Sequence, residues 1–411
     1  MSDTPPPGVF ALTPLNPVFR ADPHAVLGPL RERHPVLRDE AAGTFLLSRY
    51  EDVRAVVTDL TMNRDALKAE PGAVLARRVR EQSTDGIVDR GGGPSILLID
   101  DPDHARIRNP LAQALYKRVA RCRPQVEHVV DVTLDALPTG GGFDLMADFA
   151  LPVPIDVIAA ILGVDPSRLG EFRDWSEGVI QSLNPLRTEA QTEHLVRASN
   201  ALGEYMHALI AERRAEPADD LTSDMVALQD AGAPITSAEI ATNLTALLVG
   251  GNLTTTDLIG NGVRLFLTHP DQLAALRANP GLIGATVEEI LRYEPPVDIT
   301  GRIAGHDIEV RGCPIKASQA MFLSLRAANR DPAAFENPEK FDITRKKVPH
   351  VAFGGGAHIC IGAPLARLEA QVALLKLFDR FPNLRLANPD AEPQWRNLPF
   401  FRGLERLDVL V

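Results

Sequence analysis

The stretch VAFGGGAHICIGAPLAR, residues 351–367, sets one cysteine, Cys360, among four glycines in a chain that has only three cysteines. A cysteine in a segment so poor in bulky side chains is typical of a thiolate held for chemistry. The residues that follow, APLARLEAQVALLKLF, predict a helix that begins just after the cysteine, and a helix N-terminus favours negative charge. The sequence therefore predicts a functional thiolate at Cys360, with a buried structural cysteine as the alternative.

The composition excludes several classes of protein. The chain has 411 residues and a net charge of −11, which argues against nucleic acid as the partner because phosphate binding needs a basic surface. Cys122, Cys313 and Cys360 are too few and too far apart for a disulfide framework or a zinc site. No stretch reaches the roughly 20 apolar residues of a transmembrane helix, and no signal peptide is evident. We therefore expect a cytoplasmic protein.

Helical patterns dominate the chain. They cover residues 22–35, where an aspartate begins the pattern and a proline ends it, and residues 50–60. Strand patterns are few and short, at residues 44–49, 306–310 and 407–411. We predict a mainly α fold with small β-sheets (α+β), made of a flexible leader at residues 1–15 and a single domain at residues 16–411.

The longest predicted helix, from Thr236 to Thr268, contains two adjacent glycines. Gly250 and Gly251 each cost about 1 kcal/mol relative to alanine in a helix interior. Thr254 lies four residues after Gly250, where its hydroxyl can bond that carbonyl and open a local bulge. A functional site and close packing of a neighbouring helix both fit this pattern.

Residues 353–362 carry the pattern F-x-x-G-x-[basic]-x-C-x-G, whose fixed positions are Phe353, Gly356, His358, Cys360 and Gly362. In this pattern the chain resembles the cytochrome P450 family, whose heme-binding signature it matches position by position. The resemblance implies heme b as cofactor, Cys360 as the iron ligand, and the P450 fold with a long central helix over the heme. A thiolate ligand favours O–O cleavage, and the glycines let backbone N–H groups approach the sulfur.

Further family motifs follow in the expected chain order. The segment EEILR places Glu289 and Arg292 three residues apart, which is similar to the structural ion pair of the family, and we expect Arg345 to complete it. The resemblance also implies that four residues bind the heme propionates: His104, Arg108, Arg302 and His358.

The resemblance gives the glycine-containing helix a role in oxygen activation. The catalytic set that it implies is Thr254, Gly250, Gly251 and Asn252. The glycines would make room for dioxygen, and Thr254 would hold the water that delivers protons. However, Leu253 stands where the family usually has an acid. Protons must therefore travel through solvent, through Asn252, or through an acid elsewhere in the chain, such as Asp257. The alternatives to a water chain are weakly coupled turnover and the use of hydrogen peroxide.

The resemblance also assigns a substrate pocket. Its expected lining is Ser95, Leu97, Leu98, Leu247, Val297, Ile299 and Phe400. This lining is mostly apolar and suits a small, mainly apolar molecule, with Ser95, Asp298 and Thr300 as candidate polar anchors. The layout is similar to members that oxidise substituted benzoates, although Gly92 and Gly93 stand where an arginine for the carboxylate is expected, and Arg90 is the candidate replacement.

A basic cluster follows the predicted propionate helix. Its members are Lys117, Arg118 and Arg121, with Arg123 beside them. In this fold they suit the docking of an acidic ferredoxin, and a solvated helix face is the alternative. We therefore expect a monooxygenase that inserts one atom of O2 into an organic substrate, with electrons from a ferredoxin and a separate NAD(P)H reductase. The alternatives are a peroxide-driven oxygenase and, outside enzymes, a heme-based binding or sensing protein.

Overall fold

The computed structural model describes residues 7–74, 76, 77, 79, 80, 93–184 and 186–411. The named α-helices of this part of the chain are α1 (Pro17–Ala21), α2 (Pro23–Arg33), α3 (Tyr50–Thr58), α4 (Asp103–Val119), α5 (Arg123–Ala136), α6 (Pro152–Leu162), α7 (Leu169–Val179), α8 (Glu189–Ala215), α9 (Leu221–Asp230), α10 (Ser237–Thr268), α11 (Pro270–Ala278), α12 (Ile283–Tyr293), α13 (Leu325–Ala328) and α14 (Ala363–Arg380). A π-helical turn, Met146–Ala150, precedes α6.

The strands are short and form small sheets. They are β1 (Val36–Asp39), β2 (Thr44–Leu47), β3 (Gly142–Asp144), β4 (Ile299–Ile303), β5 (Ile308–Val310), β6 (Cys313–Ile315), β7 (Ala320–Ser324), β8 (Arg385–Leu386), β9 (Gln394–Trp395), β10 (Leu404–Arg406) and β11 (Asp408–Leu410). The largest sheet has the order β1-β2-β7-β4, in which only β2 and β7 run parallel. The other sheets are β3-β11-β8, β9-β10 and β5-β6.

Helix α10 runs through the centre of the molecule and packs against α6, α8, α12 and α14. Its predicted capping box is present, because the Thr236 side chain accepts from the N–H of Glu239 while the glutamate binds back to the Thr236 N–H. Glycines allow the close packing further along: a Cβ on Gly262 would lie 2.9 Å from the side chain of Ile290 on α12. These contacts fix the position of α10 relative to the elements that carry the site.

The prediction of a flexible leader over residues 1–15 is wrong for Val9–Leu12. These residues form a 3-10 turn, and Val9 and Leu12 are buried in a cluster with Phe19 and Leu27. The N–H of Val9 also donates to the Asp39 carboxylate at 2.7 Å. Apolar side chains at this spacing bury surface against α1 and α2, which the polar composition of the first eight residues obscured.

Most predicted elements are present with small shifts of their ends. Asp22 caps α2 by accepting from the N–H groups of His24 and Ala25, as its position before the apolar pattern indicated. Among the described helices, none combines the length and hydropathy that crossing a bilayer requires. Arg90 and Gly92 lie outside the described residues, so the proposed carboxylate anchor at Arg90 stays a prediction.

Candidate active site

Cys360 lies in the loop that leads into α14. Its N–H donates to the carbonyl of Phe353 at 3.0 Å, which closes the loop. Burial raises the pKa of the Cys360 thiol, while the N–H groups of Gly362 and Ala363, at the start of α14, oppose this by donating to the sulfur. Cys360 nevertheless retains accessible surface. A thiolate there is stabilised by backbone donors and by the helix N-terminus.

Gly356 holds the loop against α3. Its φ is +65°, which favours glycine, and a Cβ would lie 2.7 Å from the carbonyl oxygen of Val57. Gly354 also has a positive φ, of +69°, but a Cβ there would meet nothing closer than 3.9 Å. Gly362, by contrast, has a φ of −82° and is the N-cap residue of α14. The three glycines therefore serve different purposes: close approach to α3, a tight turn, and N–H donation to the sulfur.

The other side of the loop is held by charged groups. Arg367 of α14 lies over the Phe353 ring, with 4.6 Å between the guanidinium carbon and the ring centroid. It also forms a bidentate ion pair with Glu288 of α12. His350 donates from Nε2 to Glu288 at 3.1 Å, because its Nδ1 already accepts from the N–H of Ala352. These contacts fix Phe353, and with it the acceptor of the Cys360 N–H.

A cluster of histidine and arginine side chains lies beside the loop. The rings of His104 and His358 stack with centroids 4.1 Å apart. Burial lowers the pKa of Arg302 to about 9, and the charge of Arg64 adds to this effect. Burial and the nearby charges of His104, Arg64 and Arg302 hold the pKa of His358 at about 3. The facing carboxylate, Asp100, has its Oδ1 3.9 Å from His358 Nε2. The cluster thus holds more potential positive charge than the carboxylate facing it can balance.

This cluster lines a cavity of about 100 Å³. His104 Nε2 is buried and has no hydrogen-bond partner among the described residues. A buried polar atom without a hydrogen-bond partner is costly, as is a buried cation without an anion. The residues therefore fit heme b: Cys360 offers an anionic sulfur to iron, while His104, Arg302 and His358 offer donors to carboxylates.

Arg108 lies elsewhere in this site. Its Nη2 donates to the carbonyl of Ile359, next to the cysteine, and burial lowers its pKa. Its charge also opposes the rise in the pKa of Cys360. Arg108 thus ties α4 to the thiolate loop in this structure, whereas the resemblance implied a propionate partner.

Helix α10 presents one accessible face within an otherwise buried element. Gly250 is exposed and Leu253 and Thr254 are half-buried, while Leu247, on the same side, is buried. Thr254 Oγ1 donates to the Gly250 carbonyl at 2.8 Å, as the spacing predicted. The helix remains α-helical at this point, so the expected bulge is absent from α10. Gly251 packs against α6, where a Cβ would lie 3.4 Å from Ile158.

Two polar residues of α10 point away from this face. Asn252 is buried and its Oδ1 accepts from Thr256 at 3.4 Å, on the opposite side of a helix with about 3.6 residues per turn. The side chain of Asn252 is therefore turned into the core, away from Thr254, and its part in proton relay stays a prediction. Asp257 is fully buried and pairs with Arg396 at 3.1 Å, and burial raises its pKa to about 6.

The expected pocket residues divide into two groups. Leu97 and Leu98 are exposed apolar side chains, 44% and 45% accessible, in the segment before α4. Asn243 of α10 holds this segment by accepting from the N–H of Ile96 and donating to the carbonyl of Pro94. Ser95 Oγ accepts from the Leu97 N–H at 3.3 Å, so part of its hydrogen-bonding capacity is used within the segment.

The second group lies around β4 and the C-terminal segment. Val297 is half-buried and pairs with Phe401, while Ile299 is buried at the start of β4. Phe400 has a φ of +68° and its ring lies 5.5 Å from that of Phe322. Ile299 and Phe400 therefore pack partly into the core.

Asp298 was expected as a candidate polar anchor for substrate. It is 1% accessible and pairs with Arg326 of α13. The same arginine also binds Glu294. Asp298 is therefore a structural ion-pair partner, because its carboxylate is used inside the protein.

The expected ion pair of α12 is present. Arg292 donates to Glu289 at 2.7 and 2.8 Å, and both side chains are completely buried. Arg345 donates to the same carboxylate at 3.1 Å. Arg292 further binds the carbonyls of Asn329, Pro338 and Lys340. The pair thus anchors the segment between α13 and the thiolate loop.

The predicted redox-partner patch is wrong in one member. Arg118 is buried and donates to Asp224 at 2.6 Å and to Asp219 at 3.1 Å. Arg121 is exposed but binds Asp219 at 2.7 Å, and of Lys117, Arg118 and Arg121 only Lys117 is exposed without an ion pair among the described residues. Acidic residues that are distant in sequence neutralise this surface. The local run of basic residues gave no indication of this pairing.

Comparisons with known proteins agree with this site. The family model described as Cytochrome P450 matches residues 175–394. Cytochrome P450 107B1 of Saccharopolyspora erythraea is 38% identical over 396 residues, which cover 95% of each chain. Nocardicin C N-oxygenase of Nocardia uniformis subsp. tsuyamanensis is 38% identical over 397 residues, 94% of this chain and 95% of that protein.

Solved structures give the same result. The myxobacterial cytochrome P450 CYP267B1, in complex with myristic acid, is similar with a TM-score of 0.87 at 32% identity. The match covers 97% of this chain and 98% of that chain. The overall fold is therefore shared with a cytochrome P450 that was solved with myristic acid.

Proposed function

The chain belongs to the cytochrome P450 family and is a heme b monooxygenase of that family, and on this premise we propose that it hydroxylates or O-dealkylates a small, mostly apolar organic molecule. In the hydroxylation, one atom of O2 enters a C–H bond and the other leaves as water, with two electrons and two protons consumed. The observation that carries the substrate class is the accessible apolar surface of Leu97 and Leu98. We propose a single catalytic domain for this reaction.

Heme b supplies the activation of dioxygen when it is bound. Cys360 would be the iron ligand, and the N–H groups of Gly362 and Ala363 would stabilise its negative charge. Arg302, His104 and His358 would bind the propionates, since these donors lack sufficient anionic partners of their own. Phe353 and Gly356 keep the loop in place through the contacts described above.

Thr254 positions water on the accessible face of α10. Because its hydroxyl proton is donated to the Gly250 carbonyl, its oxygen remains available to accept from a water molecule. A water held there can pass protons from solvent. Leu253, at the position next to it, offers no proton, so solvent access determines the supply.

We propose that a ferredoxin and a separate NAD(P)H reductase supply the electrons. We also propose that the reaction takes place in the cytoplasm, where NAD(P)H is present. The likeness to bacterial P450 enzymes supports this. Of the expected basic cluster, Lys117 and Arg121 stay exposed and can contribute to docking, whereas Arg118 cannot. Such steering weakens as the salt concentration rises.

Leu253 favours a second candidate, which is oxidation driven by hydrogen peroxide. Hydrogen peroxide brings both oxygen atoms together with the two electrons and the two protons, so this reaction does not depend on an acid beside Thr254 for its proton supply. A heme-based binding or sensing protein is the candidate outside enzymes. Its expected signature is ligand binding without product under either oxidant.

The test combines ligand binding with turnover. Purified holoprotein is titrated with terpenoids, aromatic acids, phenolic ethers and alkanes while the heme absorption band is followed, and each ligand is then offered NADH with ferredoxin and reductase, or peroxide. We expect apolar ligands to shift the band and product to form mainly with NADH. Higher yield with peroxide supports the second candidate, and no product with either oxidant supports the sensor.

Leu253→Asp provides a sharper comparison, with Leu253→Asn as the control of similar size and no acid. If the missing carboxylate limits proton delivery, the aspartate raises the fraction of NADH electrons recovered in product and the asparagine does not. An equal fraction in both variants means that solvent already supplies the protons.

A further inference from the structure

Arg64 belongs to none of the motifs that the sequence analysis identified. It lies between α3 and the 3-10 turn Ala66–Lys68 and connects three segments. Its Nε donates to the Leu97 carbonyl at 3.2 Å, and its Nη1 donates to Thr300 Oγ1 at 3.0 Å and to the Gly301 carbonyl at 2.9 Å. The guanidinium therefore lies where the loop before α4 meets β4.

One nitrogen of this guanidinium, Nη2, makes no hydrogen bond to the described residues. It is not fully buried, so it retains accessible surface. The residue is half-buried, while burial lowers its pKa. The guanidinium therefore borders accessible space where the loop before α4 meets β4. Nη2 thus offers N–H donors to whatever occupies that space.

The surroundings of Arg64 lack an anion of matching charge. Arg64 opposes the charging of Arg302 and of His358, both of which line the cavity beside Asp100. Asp100 is already engaged, because it accepts from the N–H groups of Arg64 and Asp65 and binds Lys68 at 2.9 Å. Two neighbouring guanidinium groups with one occupied carboxylate form a site that attracts a further anion.

We propose that Arg64 binds a carboxylate through Nη2, supplied either by a propionate of the heme or by an acidic substrate. The location permits both sources: Gly301 precedes the expected propionate partner Arg302, and Leu97 belongs to the expected pocket lining. Guanidinium is the side chain best suited to a carboxylate, and its fixed orientation here lowers the cost of ordering it. This inference rests on the proposed heme-containing function, and it adds an anion-binding residue to it.

The experiment compares holoproteins in two assays. The variants are Arg64→Met, which removes the charge, and Arg64→Lys, which keeps it. Thr300→Val removes one acceptor of Arg64 and leaves the guanidinium, so it controls for loop positioning. Arg38→Met controls for the loss of a partly buried arginine, since Arg38 binds Glu40 and Glu70 away from this site. The first assay is the rate of heme transfer to apomyoglobin, and the second is the affinity for myristic acid relative to tetradecanol, read from the heme band.

If a propionate is the carboxylate, Arg64→Met speeds heme transfer about 10- to 100-fold, Arg64→Lys less, and the acid-to-alcohol preference stays unchanged. If the substrate supplies it, the preference for the acid falls by a similar factor while heme transfer does not change. Arg38→Met stays within about twofold of the natural chain in each case, and Thr300→Val changes each assay less than Arg64→Met does. The proposal is overturned if Arg64→Met and Thr300→Val give equal effects, or if neither assay responds. Failure of the natural chain to take up heme would instead refute the proposed function.

Discussion

Replacing Gly356 by alanine tests how closely the thiolate loop must approach α3. The residue has a φ of +65°, which costs an L-amino acid about 1–2 kcal/mol. The new Cβ would also lie 2.7 Å from the Val57 carbonyl oxygen, and relieving such a contact costs about 1–3 kcal/mol. We therefore expect Gly356→Ala to lower the free energy of unfolding by about 2–5 kcal/mol. Urea unfolding of the holoprotein, followed by helical circular dichroism, measures this change.

Gly354→Ala is the matched control. Its φ of +69° imposes the same backbone cost, but its Cβ meets nothing closer than 3.9 Å. The loss of unfolded-state entropy on replacing glycine is equal in both variants and cancels in their difference. The structure predicts that Gly356→Ala is less stable than Gly354→Ala by about 1–3 kcal/mol and loses more of the thiolate-ligated heme spectrum. Equal stability of the two variants would refute the argument that contact with Val57 constrains the loop.

Three further outcomes are expected. Glu289→Gln should lower the free energy of unfolding by about 3–5 kcal/mol in urea, because it leaves the fully buried Arg292 without its carboxylate. Arg118→Met should lower it by about 1.5–3 kcal/mol through loss of charge-assisted hydrogen bonds, while Lys117→Met should leave it unchanged. Burial raises the pKa of Glu369, so the folded chain keeps a proton that the unfolded chain releases above about pH 4.5. The stability of the natural chain should therefore fall as pH rises above that value, and Glu369→Gln should lessen the fall when unfolding is measured across pH.

The elements with local signals were predictable from the sequence. The Asp22 cap, the capping box at Thr236 and the proline after His269 each act within one helical turn, so their outcome does not depend on the rest of the fold. The pair Glu289–Arg292 was predictable for the same reason, because residues three apart on a helix lie on one face. Such signals give the boundaries of elements and the contacts inside them.

The residues that were misassigned depend on partners far away in the chain. Arg118 is neutralised by Asp219 and Asp224, which lie about a hundred residues later, so a basic run in the sequence became a structural ion pair. Asp298 likewise depends on Arg326. Arg64 was missed because nothing in the surrounding TMNRDALK marks it, and its role follows only from the meeting of three segments. Long-range charge pairing is invisible to spacing rules.

The departure at Leu253 has a definite consequence for proton supply. The nearest other acid on α10, Asp257, is paired with Arg396 and enclosed by the C-terminal segment, since a Cβ on Gly403 would overlap its carboxylate. The Asp257 side chain points toward that segment, so it could replace the missing acid only if its ion pair with Arg396 were broken. Asn252 faces the core as well. If Thr254 has the role proposed above, water is its proton source, and the rate of that supply is set by how well substrate excludes solvent from the accessible face of α10. A tightly fitting substrate would then slow proton delivery while improving the positioning of its own C–H bond, so the same pocket shape governs both steps in opposite directions.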